Sequence, residues 1–219
     1  MGSSPISHPK IMQLINYLKE WSFYFSIEKQ LSDSFNYVYP SIINKGIISP
    51  HYINVVFSSC TQIESILKGL ADNLKIDYLS SKKSRDIWKF DDHGKKVLMS
   101  CLDKKSNKVN IFDLPNRKIL FLGNDSTRWM FEPWCFLIDP EINVPEWWNG
   151  YNSLKHSYAN NFNRGTLDLA LSCTAALGSI LVFMEYLYKV ENSRGPYYFP
   201  SELFMVEGIA RGKIGGSEF

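Results

Sequence analysis

The sequence lacks the short motifs of the common enzyme classes. It contains no G-x-x-x-x-G-K-[ST] phosphate loop, no G-x-G-x-x-G turn and no G-x-S-x-G nucleophile motif. These absences argue against an ATPase, a dinucleotide-dependent enzyme and a common esterase. We accordingly expect a protein that uses no cofactor.

Metal-binding patterns are also missing. Neither a C-x-x-C pair nor an H-x-x-x-H pair occurs, which argues against a structural zinc site. Asp91, Asp92 and His93 are the nearest approach to a ligand cluster, but Gly94 follows them and adjacent side chains diverge, so we interpret them as a solvated loop. We expect no metal and four reduced thiols, at Cys60, Cys101, Cys135 and Cys173.

The sequence shows no secretion signal and no clear membrane span. It does not begin with a charged segment followed by an apolar one. Residues 169–184 carry no charge, but 16 residues fall short of the roughly 20 that cross a bilayer. We interpret this run as a buried core helix and expect a cytoplasmic protein without membrane contact. A small membrane-associated helical protein remains an alternative that rests on this run alone.

Charge is almost balanced overall but unevenly distributed. The net charge is only +2, whereas residues 82–118 hold 11 Lys or Arg against 5 Asp or Glu. Such a segment either attracts phosphate or forms a solvated surface. We place it as a basic insertion at about 80–125 in a single domain that spans 1–214. Residues 215–219 are interpreted as a flexible tail or a cloning remnant.

Apolar residues recur at helical spacing through most of the chain. With 219 residues, 45% of them hydrophobic, the chain can bury a sizeable core. Thr166 can cap one helix, and Pro145 suits the first turn of another. The fold class that we predict is mainly α. The predicted helices lie at 9–38, 51–76, 85–101, 145–158 and 166–190.

Two short strands are predicted inside this helical framework. Residues 109–112 and 118–122 are rich in strand-forming side chains, and Leu114-Pro115-Asn116 between them suits a turn. We therefore predict a small β-hairpin inserted in the helical domain. Residues 131–145 contain three prolines and should form an ordered, largely non-helical crossing.

Polar residues gather in an aromatic setting on the helix that begins near Pro145. Asn149, Asn152 and His156 are spaced three and four residues apart, so they share one stripe of the helix. Lys155 lies beside the stripe, and we expect Trp148 and Tyr151 to wall it. A histidine can transfer protons near neutral pH, an amide can hydrogen-bond a phosphate, and a lysine can neutralise it. A packing role for His156 against the aromatic residues is the alternative.

The same residues carry a resemblance to a known superfamily. The pattern Pro-x-Trp-Trp-x-x-Tyr-Asn-x-x-Lys-His, followed by a polar break and a long Leu/Ala-rich helix, is similar to a group of prokaryotic proteins that resembles the HEPN superfamily. The resemblance covers about residues 131–190, and the predicted 51–76 helix with Glu64 and Lys68 fits more loosely. It implies a HEPN-like helical bundle.

The superfamily's motif departs from this sequence at one position. The motif is an Arg, four to six residues and then a His, often with an Asn directly after the Arg. Asn152 and His156 match the Asn and His, but Tyr151 stands where the Arg is expected. Lys155 and Arg164 are the residues that could supply the missing charge.

The resemblance implies an activity and partners. It predicts an RNA-binding, metal-independent RNA-cleaving effector of prokaryotic defence or toxin–antitoxin systems, with His156 as acid/base, Asn152 as positioning group and Lys155 as charge. We predict that Asn149, Tyr151, Arg164 and Trp148 contact the substrate. A non-catalytic dimerisation or protein-interaction module is the alternative.

The resemblance also implies a homodimer. An antitoxin or a defence protein is the further partner that it suggests. Residues 145–190, with an aromatic patch at Trp147 and Trp148, are expected to supply much of the dimer contact.

Overall fold

The computed structural model describes most of the predicted domain. The described residues are 17–74, 94–103, 113–123, 129–139, 141–192 and 198–211. The predicted strand at 109–112, the Asp91-Asp92-His93 loop and the 215–219 tail lie outside them. So does most of the basic insertion.

Helices make up most of the described structure, as the sequence predicts. Three of them agree closely with the predicted helices at 51–76, 145–158 and 166–190, while the other two predicted helices are described only in part. The helices are α1 Tyr17–Ser34, α2 Pro50–Leu74, α3 Lys95–Asp103, α4 Glu146–His156, α5 Tyr158–Asn161 and α6 Leu167–Asn192.

Helix α6 forms the centre of the core and packs against α1, α2 and α4. Thr166 caps it as predicted, because its hydroxyl accepts a hydrogen bond from the Leu169 amide at 3.2 Å. Small residues on α6 allow neighbours to approach closely. A Cβ at Gly178 would lie only 2.9 Å from the Phe199 ring and 3.0 Å from the Tyr24 ring. Glycine at this position is therefore a packing requirement.

The uncharged run on α6 lies inside the domain. The helix is long and apolar enough over Leu167–Tyr186 to cross a membrane, but 83% of its most apolar window is buried by the rest of the chain. Two polar side chains in the run bond locally: Thr174 to the Ala170 carbonyl and Ser179 to the Ala175 carbonyl, both at 2.8 Å. This environment is the one expected for a core helix.

The sheet differs from the predicted local hairpin. Strand β1 (Ile119–Phe121) lies within the predicted 118–122 strand, but it is the central strand of a three-stranded antiparallel sheet. Its neighbours are β2 (Trp129–Phe131) and β4 (Phe204–Val206). Alternate residues of all three strands face the core, so the sheet closes one side of the domain. The segment is thus part of the main fold, because its pairing with β4 comes from far along the chain.

The chain's C-terminal region is held to α1 by a buried carboxylate. Strands β3 (Tyr198–Phe199) and β5 (Ala210–Arg211) form a short parallel pair. Between β3 and β4, Ser201 and the amides of Glu202 and Leu203 donate hydrogen bonds to Glu28. The Tyr24 hydroxyl donates to the same carboxylate at 3.3 Å. These bonds satisfy a charged group that would otherwise be costly to bury.

Candidate functional site

Helix α4 presents the predicted polar stripe on its outer face. Pro145 precedes the helix, and its carbonyl accepts the amides of Trp148 and Asn149, which sets the first turn. Asn149 and His156 are exposed and Asn152 is half-buried, whereas the opposite face of α4 is buried. The stripe inferred from the spacing is therefore accessible.

His156 is the last residue of α4 and is open to solvent. Its ring makes no hydrogen bond to any residue in the described ranges. The chain turns sharply after it, and Asn161 stabilises the turn by donating to the carbonyls of Ser153 and Ser157 at 3.0 Å. An exposed imidazole at a helix end can contact a ligand, in contrast to the packing role that was the alternative.

Trp148 and Tyr151 lie in the core, which corrects their predicted place as walls of an open site. Their exposed fractions are 4% and 3%. The two rings contact each other at 5.0 Å between centroids, and Tyr151 packs edge-on against Phe57 of α2 at 5.9 Å. Helix α2 covers this face of α4. Trp148 and Tyr151 therefore lie on the buried side of α4, opposite the polar stripe, although they alternate with polar residues in the sequence.

Lys155 belongs to a three-residue charge group that joins α4 to α2. Its ammonium lies 3.9 Å from one Glu64 carboxylate oxygen, while Lys68 lies 2.5 Å from the other. The Lys155 ammonium is also 5.3 Å from the centre of the Tyr151 ring. One carboxylate is shared by two ammonium groups, so the group carries one net positive charge next to the polar stripe.

Arg164 does not contact the residues of the polar stripe. Its guanidinium forms an ion pair with Glu146 at 3.1 Å, at the opposite end of α4 from His156. Both residues line an open cavity of about 560 Å³ between the 131–145 crossing, α4 and the start of α6. None of the other predicted site residues lines this cavity. The structure therefore divides the predicted site residues between two surfaces.

The cavity holds polar residues that the sequence does not group together. Glu132, Cys135, Asp168 and Ser172 line it, together with a wall of aromatic and aliphatic side chains. In the sequence, Glu132 has no other candidate site residue close to it. No spacing rule links residues from a crossing segment to residues on a later helix, so only the folded chain brings them together.

Neither described cysteine environment near these surfaces favours a reactive thiolate. Burial, reinforced by Cys173 and Glu64, raises the pKa of Cys60 well above its ordinary value of 9.0. The Cys60 and Cys173 sulfurs are 3.6 Å apart, and both residues are buried. Burial also raises the pKa of Cys135 in the cavity, with Glu132 adding to the shift. Cysteine nucleophiles normally have lowered pKa values, so neither site suits thiol chemistry.

Within the ranges that the structure describes, no three His, Cys, Asp or Glu side chains come together as a metal site. The polar groups of the stripe are amide, imidazole and ammonium groups, which suit hydrogen bonding and proton transfer.

Comparisons with protein-family models, with curated proteins and with solved structures find no match to this chain.

The aromatic patch expected at the dimer contact is buried. Trp147 and Trp148 are only 5% and 4% exposed, and most of α6 from Leu167 to Tyr186 is buried, so these residues offer little surface to a partner. Asn149, Lys155 and Tyr158, in the same 145–190 region, are exposed. Several exposed apolar side chains also lie in the loop between α1 and α2. This apolar loop, residues 37–48, includes Ile43, which is 89% exposed. The end of this loop is tied to the start of α6 by a hydrogen bond from the Leu167 amide to the Ile47 carbonyl.

Proposed function

We propose that this chain is a HEPN-like RNA-binding domain whose contact surface is the outer face of α4. The observation that carries the proposal is the shared accessibility of Asn149, Asn152 and His156 along one stripe. Amide and imidazole groups hydrogen-bond phosphates, ribose hydroxyls and the edges of unpaired bases. A stripe spaced over two helical turns, about 10 Å long, matches one or two nucleotides of a single strand.

Lys155 and Lys68 supply the electrostatic part of the proposed contact. The Lys155 side chain is half exposed, and its 3.9 Å pair with Glu64 is longer than a direct hydrogen bond. Such a pair contributes about 0–1 kcal/mol, so a phosphate can take over the ammonium at little cost. The net positive charge of the group favours a polyanion on this side of the stripe.

RNA cleavage is the catalytic extension of this proposal. His156 would remove the proton from a ribose 2′-hydroxyl, whose oxygen attacks the adjacent phosphorus while the 5′-oxygen of the next nucleotide leaves. The protonated imidazole would then return that proton to the leaving oxygen. Lys155 would offset negative charge on the phosphate, and Asn152 would position it. The mechanism needs no metal or cofactor.

A non-catalytic interaction module is the second candidate, and one observation favours it. Tyr151, which stands at the position of the superfamily's arginine, is buried against Phe57 and cannot reach a bound phosphate. Arg164 is paired with Glu146 on another surface. The stripe would then bind RNA or a protein without cutting the RNA.

We place this domain in the cytoplasm of a prokaryote, as a homodimeric effector of a defence or toxin–antitoxin system with a cognate protein partner. The exposed apolar loop at residues 37–48 is the surface that we propose for the dimer contact, because exposed apolar patches commonly mark protein interfaces.

The deciding experiment measures binding and cleavage in parallel. Fluorescein-labelled single-stranded RNAs of mixed sequence would be titrated with the protein and followed by anisotropy, and unlabelled RNAs would be analysed on denaturing gels with and without EDTA. We expect binding, and cleavage that EDTA does not stop. The same sequences with 2′-deoxyribose should bind but stay intact. Binding without cleavage of any RNA would favour the interaction module, and the absence of both would overturn the proposal.

A further inference from the structure

The cavity beside α4 has the size and walls of a small-ligand site. Its volume is about 560 Å³, within the usual range for such sites. Phe131, Phe136, Trp147 and Leu169 form much of its apolar lining. Asn149, Asn152 and His156 do not line the cavity, so it is a separate surface from the polar stripe on α4.

Two of the three carboxylates that line the cavity already have cationic partners. Glu146 pairs with Arg164 at 3.1 Å. Glu132 lies 3.8 Å from the Lys118 ammonium. Both pairs are partly exposed to solvent, which places these charges at the rim of the cavity.

Asp168, the third carboxylate, has no cationic partner among the residues that the structure describes. One of its oxygens accepts a hydrogen bond from the Trp129 indole at 3.2 Å, which fixes the side chain without neutralising it. The Asp168 amide donates a hydrogen bond to the Lys45 carbonyl oxygen, and no ion pair joins the two side chains. Asp168 lies in the first turn of α6 and lines the cavity, so its carboxylate is available to a ligand.

The aromatic wall is compatible with a positive charge. The Lys95 ammonium lies 5.8 Å from the centre of the Phe136 ring and 3.4 Å from the Ile142 carbonyl oxygen, and both of these residues line the cavity. Aromatic faces attract ammonium and guanidinium groups, and more strongly where water is excluded. A carboxylate without an ion pair, in a cavity that is also lined by aromatic rings, is a combination that recognises an organic cation.

We propose that this cavity binds an alkylammonium or alkylguanidinium group, with Asp168 as its counter-ion and the aromatic wall around its alkyl stem. Ser172, one helical turn after Asp168, offers a hydroxyl to the same group. The cation comes either from a free amine or from a lysine or arginine side chain of a protein partner. Both sources share this chemistry.

The test is a titration of the full chain, followed by ligand-observed NMR, with n-butylamine, n-butylguanidine and the neutral n-butanol. Nα-acetyl-lysine amide and Nα-acetyl-arginine amide represent the protein-bound source. We expect the cations to bind and the alcohol to bind at least tenfold more weakly, since a charge-assisted hydrogen bond is lost. Tighter binding by the free amines indicates a small molecule, and tighter binding by the amino-acid amides indicates a protein side chain.

Variants tie the binding to this cavity. Asp168→Asn keeps an acceptor for Trp129 but removes the charge, and should weaken cation binding at least tenfold. Glu141→Gln removes one charge from an exposed residue that does not line the cavity, and should leave binding within about twofold. Ser172→Leu places a branched apolar side chain one helical turn from Asp168 and should weaken cation binding at least tenfold, even if Asp168→Asn does not fold. Equal binding of butanol, unchanged binding by Asp168→Asn, or unchanged binding by Ser172→Leu would overturn the proposal.

Discussion

The Lys155 ammonium of α4 lies 3.9 Å from the carboxylate of Glu64 on α2. Glu64 is held more closely by Lys68, at 2.5 Å, so its single negative charge does not fully compensate Lys155. This relationship places a positive charge next to the exposed stripe of Asn149, Asn152 and His156. It is the feature through which we propose that the domain meets the RNA backbone.

Replacing Lys155 should weaken RNA binding in a salt-dependent way. Lys155→Gln removes one phosphate contact, so the slope of log Kd against log salt should fall by about one. Anisotropy titrations at several salt concentrations measure this slope. Lys29→Gln is the matched control, because Lys29 is also paired with a carboxylate, Asp33 at 2.9 Å, but on α1. An equal change in both variants would show that only overall charge matters.

His156 should affect cleavage without affecting stability. His156→Ala should lower the rate of RNA cleavage by about 100- to 10,000-fold, the range for an acid–base group. Because the residue is exposed, its loss should change the free energy of unfolding by less than about 0.5 kcal/mol. Gel assays and urea unfolding give the two values. Asn152→Ala should reduce the rate less, since it only positions the phosphate.

A second outcome for His156→Ala would contradict the enzymatic form of the proposal. A variant that loses about 1–3 kcal/mol of stability, beside a wild type that leaves diverse RNAs intact, would assign the histidine a packing role. The enzymatic form of the proposal would then be wrong.

Gly165 should be sensitive to the addition of one methyl group. A Cβ at this position would overlap Cγ1 of Ile53 on α2, because the Gly165 backbone packs directly against this buried side chain. We expect Gly165→Ala to cost about 1–3 kcal/mol, the usual range for overpacking. Urea unfolding measures the loss. Gly46→Ala, where no atom lies within 4 Å of the added carbon, is the control and should stay near the wild type.

The buried Glu28 should make stability depend on pH. Burial raises the folded-state pKa of Glu28 above its ordinary value of 4.5, although hydrogen bonds from Ser201 and from the Leu203 and Glu202 amides oppose the shift. A raised pKa means that the folded state holds the proton more tightly than the unfolded chain. The stability that this proton contributes is complete below pH 4.5 and is lost as the pH rises through the folded-state pKa.

A comparison with Glu28→Gln isolates this effect. Glutamine cannot ionise, so the stability of the wild type minus that of the variant should decrease as the pH rises from 4.5 through the raised folded-state pKa. Urea unfolding at four or five pH values would give the difference. A difference that stays constant or increases with pH would contradict the prediction.

The apolar loop at residues 37–48 should control oligomeric state. We expect the wild type to be a dimer at micromolar concentration by light scattering. Ile43→Asp would place a charge in the apolar contact and should shift the protein to monomer. Ile138→Asp makes the same change at another site that is 57% exposed, and should leave the dimer intact. A monomeric wild type would refute the dimer and any mechanism that depends on it.

Local patterns in the sequence predicted the helices and one exposed face. The apolar period predicted α2, α4 and α6 nearly to their ends, Thr166 was identified as a cap, and the spacing of Asn149, Asn152 and His156 placed them on one stripe. These features depend on contacts between residues three or four apart, which a sequence displays directly.

Tertiary structure decided what surrounds those elements. Strand β1 pairs with β4, more than 80 residues later, because apolar side chains in both strands need the same core, and no local turn signals that pairing. Tyr151 is buried because α2 covers its side of α4, and the cavity exists because the 131–145 crossing, α4 and α6 meet around it. The helices and the open stripe thus follow from the sequence alone. Packing between distant segments is what buries Tyr151 away from any phosphate, and what places Asp168 in one cavity with aromatic side chains.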